Sequence, residues 1–126
     1  MSGSAFRPLR KDQQRALRAY ETAEAARRDG KFDDFEIAVQ SFAATLLRSG
    51  LAVAASVLER SADRPGFELL LSDLQTLSLA GLNAKTPGDW PGAVRGLTDL
   101  GRYMQATREL VAYLAWLRRA CQAIRV

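Results

Sequence analysis

The sequence predicts an all-α fold: a single compact bundle of five to six helices, closed by a long basic C-terminal helix. Three observations carry that expectation. Apolar residues recur at three- and four-residue steps along most of the chain, the period of amphipathic helices. No segment alternates apolar and polar residues as a half-buried strand does. The longest periodic run, Leu100 to Ile124, contains no proline and has glycine only at its entrance.

The first four residues, Met1-Ser2-Gly3-Ser4, are small and polar, and residues 1–6 read as a disordered lead-in. A first helix is predicted from Leu9 to Arg28, with Asp29-Gly30 as its stop. Leu9, Ala16, Tyr20, Ala23 and the stem of Arg27 share one face of it. Arg7, Lys11, Arg15 and Arg18 share another. Like charges one turn apart repel by a few tenths of a kcal/mol, so a bound phosphate would relieve this row.

A second helix opens at Phe32-Asp33-Asp34-Phe35-Glu36, where carboxylates suit the helix dipole; as a metal or acid–base site the cluster lacks a histidine to complete it. Phe35, Val39, Phe42, Leu46 and Leu47 are its apolar face. The run breaks at Ser49-Gly50-Leu51 and resumes to Arg60 with Val53, Val57 and Leu58. Ala62 to Gly66 is a loop, and Phe67 to Ala80 a further helix through Phe67, Leu70, Leu71, Leu74 and Leu77. Gly81 to Gly92 is the longest loop signal. Its Trp90 either plugs the bundle or meets a partner. A brief helix over Ala93 to Leu97 precedes the last one, of about 25 residues or roughly 37 Å at 1.5 Å per residue. Its expected core stripe is Tyr103, Ala106, Thr107, Leu110, Tyr113, Leu114, Leu117, Cys121 and Ile124.

At 126 residues the chain is one domain (1–126), able to bury roughly 65% of its unfolded surface. With 48% hydrophobic residues it is not a disordered chain. One cysteine allows no internal disulfide, no secretory pattern opens the chain and no apolar run spans a bilayer, so a cytoplasmic protein with no membrane partner is expected. The net charge of +4 is unevenly spread. Met1 to Lys31 carries +4, Phe32 to Gly101 carries −4 and Arg102 to Val126 carries +4. Basic ends and an acidic middle suit a polyanion, or self-assembly in which one copy's ends meet another's middle.

There is no histidine, so the commonest general base, the usual triad partner and the usual zinc ligand are missing. No glycine-rich phosphate loop occurs. No catalytic residue, metal or cofactor is expected, and a binding or assembly role follows. Trp116 has two readings. It lies among arginines on the outer half of the last helix, a stacking or interface position, or it is buried against the first helix.

Gln14-Arg15-Ala16-Leu17-Arg18-Ala19-Tyr20, the break at Ser49-Gly50-Leu51-Ala52, and above all Thr-x-Glu-x-x-x-Tyr-Leu-x-Trp-Leu-Arg-Arg over Thr107 to Arg119 resemble one family. It is the small helical subunit, the fifth, of the type III-B CRISPR effector, the Cmr complex. The resemblance implies a non-catalytic subunit of antiviral defence that stacks in two or three copies beside the guide-RNA filament. Its basic faces would line the groove where target RNA, paired with the guide or single-stranded, is held; other subunits would cleave the target and make the cyclic-nucleotide signal. Its partners would be the other effector subunits, further copies of itself and RNA. The candidate RNA-binding residues are Arg15, Arg18, Arg108, Arg118 and Arg119, with Lys11 and Arg48 as second choices. Alternatives are a purely structural protein–protein spacer, the corresponding subunit of a type III-A effector, or a small DNA-binding helical domain without helix-turn-helix spacing.

Overall fold

Helix α1 (Lys11–Arg28) starts after Arg10, whose N–H donates to the Gln13 side-chain oxygen at 2.9 Å. It stops at Asp29-Gly30, with Gly30 in the left-handed region at φ 71°. The computed structural model describes residues 10–77, 79, 82 and 90–125. They form five further helices and no strand: α2 (Phe32–Ser49), α3 (Leu51–Arg60), α4 (Pro65–Thr76), α5 (Trp90–Arg95) and α6 (Leu100–Arg125). The lead-in, Arg7, Leu9 and most of the loop predicted before Trp90 lie outside the described residues.

The buried face of α1 is Ala19, Ala23 and Ala26, which shares only Ala23 with the predicted stripe. Tyr20 is 39% exposed, Arg27 is exposed and Ala16 is half-buried. The reason is steric: three alanines in register let α1 lie close on α6, its main neighbour, where a tyrosine would hold the helices apart. Helix α2 buries Phe35, Ala38, Val39, Phe42 and Leu46, whereas Leu47, expected in the core, stands in solvent at 73% exposure.

Gly50 separates α2 from α3 at φ 90° and ψ 171°, a conformation that glycine alone adopts readily. The Tyr103 hydroxyl, from the first turn of α6, accepts the Ala52 N–H at 3.1 Å and so caps the new helix. Helix α3 turns Leu51, Ala54, Ala55 and Leu58 inward; Val53 is exposed and Val57 half-buried.

Helix α4 begins two residues earlier than predicted, with Pro65 in its first turn, and ends at Thr76. Leu77, Leu79 and Leu82 nevertheless remain buried beyond it. Trp90 is buried to 1% exposure, its ring 6.4 Å from that of Phe42, and it plugs the bundle. It also opens α5, three residues ahead of the predicted start. Asp99 caps α6 by accepting the Arg102 N–H at 3.2 Å. The buried face of α6 is Ala106, Leu110, Tyr113, Leu114, Leu117, Ala120 and Cys121.

Helix α6 lies between α1 and α2. It runs parallel to α1, since Arg15 meets Glu109 and Arg27 lies near Ile124 at the far end. It runs antiparallel to α2, since Gly50 approaches Tyr103 while Glu36 pairs with Arg125. Helix α4 covers the other side of α2, and α3 packs on α2 and α5. No described helix is long and apolar enough to cross a membrane.

Candidate nucleic-acid interface

The basic row on α1 flanks the buried alanines, and the molecule itself supplies its counter-charges. Arg15, with a side chain 11% exposed, places an NH2 nitrogen 2.6 Å from the Glu109 carboxylate of α6. Lys11 Nζ lies 3.2 Å from the same oxygen. Arg18 Nε donates to Asp73 Oδ1 at 3.1 Å, and its terminal nitrogen donates to the Asp73 carbonyl at 2.7 Å and to the Thr76 hydroxyl. The expectation that this row stays unrelieved until a phosphate binds is therefore corrected: Glu109 and Asp73 relieve it within the fold.

Asp73 is the only buried charged residue among those described, at 8% exposure. Its carboxylate also accepts hydrogen bonds from the Thr22 hydroxyl at 3.0 Å and from the Tyr113 hydroxyl, which is wholly buried. One side chain of α4 thus ties α1 to α6. Burial opposes the charge on Arg18, but Asp73 and Tyr113 outweigh it, so the guanidinium pKa is raised. Burial first, and the Asp73 charge second, push the Tyr113 hydroxyl well above its usual value of 10.0. Burial alone pushes the Cys121 thiol up to about 11 from 9.0.

Both groups are held protonated by folding. Their stabilisation is complete below the unfolded values and is lost as pH rises through the folded ones. Stability is expected to hold up to about pH 9 and then fall by roughly 2 kcal/mol or more by pH 11. Urea midpoints from pH 8 to 11 measure this, and Cys121→Ala should flatten the first part of the decline.

The outward side of α6 is different. Arg108, Arg118 and Arg119 are exposed, as are Ala112 and Ala115 between them. Among the described residues no carboxylate forms an ion pair with any of the three, because Glu109, the only acid of α6, is turned to α1. Arg108 and Arg119 are roughly 16 Å apart along the helix at 1.5 Å per residue. Trp116 satisfies neither sequence reading fully: it is half-buried against the core, with the Arg119 guanidinium 5.1 Å from its ring centroid. That cation covers a ring face a base would need for stacking. Arg48 is exposed on α2, off the row of Glu36, Gln40, Ala43 and Leu47 that borders α6.

The carboxylates opening α2 go to helix docking. Asp34 pairs with Arg64 and accepts the Gly66 N–H at 2.8 Å, while Glu36 pairs with Arg125. No group of three or more metal-ligating side chains occurs among the described residues. Sequence reasoning missed Asp73 altogether. The signal was present: an acid three residues after Leu70 and next to Leu74 falls on the buried face of an apolar helix.

The Thr107 to Arg119 signature now divides by task. Glu109 and Tyr113 anchor α1 and α4, Leu114 and Leu117 fill the core, and Arg118 and Arg119 face solvent. A family model described as CRISPR-associated protein (Cas_Cmr5) matches residues 11–124. No curated protein and no solved structure matches the chain. With all but its first ten and last two residues inside that match, the chain belongs to the Cas_Cmr5 family, the small subunits of the CRISPR-associated Cmr complex.

Proposed function

We propose that the protein is a non-catalytic subunit of a type III-B effector, stacking in several copies along the guide-RNA filament and lining the target-RNA groove with the outward side of α6. The observation that carries this reading is the asymmetry between two sets of cations. Lys11, Arg15 and Arg18 are matched by Glu109 and Asp73, whereas Arg108, Arg118 and Arg119 face solvent and pair with no carboxylate among the described residues. Exposed guanidiniums along one helix side suit a sugar-phosphate backbone, which they bind through charge and counterion release without reading bases. Sequence discrimination then belongs to guide–target pairing. Arg108 and Arg119 form the centre of the strip, with Arg118 on its α2 side; Arg15 and Arg18 hold the helices that present it.

In the assembled complex, alanine at Arg108, Arg118 and Arg119 should weaken target-RNA binding. The slope of log affinity against log salt should become shallower by about 0.7 for each single-strand phosphate that the subunit no longer neutralises. An unchanged slope rejects the strip as an RNA-binding surface. The spacer reading is favoured by the apolar side chains exposed at Leu47 and Val111. It predicts instead that the triple variant enters the complex poorly while the complexes that do form bind RNA normally.

A further inference from the structure

We propose that copies join head to tail, with the outward face of α1 in one copy seated in the groove between α2 and α6 of the next. This rests on the stacking reading above and assigns its two surfaces. The large exposed apolar side chains are not scattered evenly. Leu17 (54%) and Tyr20 (39%) stand together on α1, opposite its buried alanines. Glu21 and Glu24 follow on the same face, so the four recur at i, i+3, i+4 and i+7. Glu21 has no ion pair among the described residues, and Glu24 has only a 3.8 Å approach to Arg27 near the helix end.

The second cluster borders α2 and α6. Leu47, Leu100, Met104 and Val111 are all exposed along this edge. Between the helices lies a slot of about 100 Å³ lined by Ala43, Leu47, Val111, Ala115 and Arg118 among others. Arg118 also lines the adjoining cavity of about 110 Å³, beside Gln40 and Gln122. The slot is aliphatic and carries no aromatic ring, so it suits the side chains of a third helix better than a nucleobase. Its cation, Arg118, meets the requirement of a partner helix carrying acids beside two apolar anchors, which is the outward face of α1.

The two surfaces share no residue, so the contact is heterologous. Repeated without closing on itself, such a contact builds an open row of copies, not a two-fold dimer. In that row Arg118 faces the neighbour's carboxylates, and Arg108 and Arg119 remain for RNA.

Cysteine cross-linking in the reconstituted complex tests this. Cys121 is the chain's single cysteine, and burial keeps its thiol out of exchange at neutral pH. Leu17→Cys and Leu47→Cys alter exposed positions, so both variants should fold. A subunit carrying both, assembled and oxidised, should give a ladder of linked multimers, while either single variant should give none. No ladder in complexes counted to hold two or more copies overturns the α1-to-groove contact and leaves the stacking reading intact. Dimers of the Leu47→Cys variant alone overturn it in favour of a two-fold contact. A complex holding a single copy overturns the stacking reading and this inference with it.

Discussion

Gly66→Ala is expected to lower the stability of the subunit by about 3 kcal/mol or more. A Cβ at Gly66 would lie 2.3 Å from the Asp34 carbonyl carbon, 2.3 Å from the Phe35 nitrogen and 2.8 Å from the Asp34 Cβ. Two of those atoms are backbone in the first turn of α2, so no rotamer change relieves the overlap. The helices must separate. Separation also loosens the Gly66 N–H bond to Asp34 and the Arg64–Asp34 ion pair, which anchor the start of α4. A urea titration followed by far-ultraviolet circular dichroism measures the loss. Gly30→Ala is the matching comparison, since Gly30 has a positive φ but nothing within 4 Å of its Cβ position. It should cost only the strain of a left-handed alanine, about 1 kcal/mol.

Asp73→Ala is expected to cost about 3 kcal/mol, and much more than Tyr113→Phe, at about 1 kcal/mol. The difference lies in what each substitution strands. Removing the phenol oxygen deletes one donor from a carboxylate that keeps Arg18 and Thr22. Removing the carboxylate leaves the buried Tyr113 hydroxyl, the Thr22 hydroxyl and a half-sheltered guanidinium without their common acceptor. Arg18 is 32% exposed and recovers some hydration, which keeps the penalty at the lower end for a broken buried pair. Denaturant midpoints of the two variants, with Arg18→Met as the third corner, apportion the network.

Local features were legible in the sequence because local chemistry decides them. Gly30 and Gly50 mark breaks that the backbone takes at positive φ, and the apolar period of residues 100–124 gives α6 nearly to the residue. The inward face of α1 was not legible. Tyr20 has more apolar area than Ala19, yet close approach to α6 selects the alanines, and only the packed pair reveals that. The same holds for the candidate interface. Arg15 and Arg18 look as free as Arg108 and Arg119 in the sequence, because their partners lie 94 and 55 residues away at Glu109 and Asp73. Glu109, alone among five arginines, was the available clue that some of the positive charge is matched within the fold.

In the proposed function, cations matched within the fold hold the helices together, and those without an ion pair among the described residues serve the RNA. The salt dependence of target-RNA binding, measured on complexes carrying Arg108, Arg118 and Arg119 as alanine beside complexes carrying Arg15→Ala and Arg18→Ala, tests that division most directly. The α6 set should flatten the slope by about 1.4, the share of Arg108 and Arg119. The α1 pair should leave the slope unchanged while lowering the urea midpoint of the isolated subunit. A flattened slope for the α1 pair, with none for the α6 set, would contradict the assignment of the RNA face to α6.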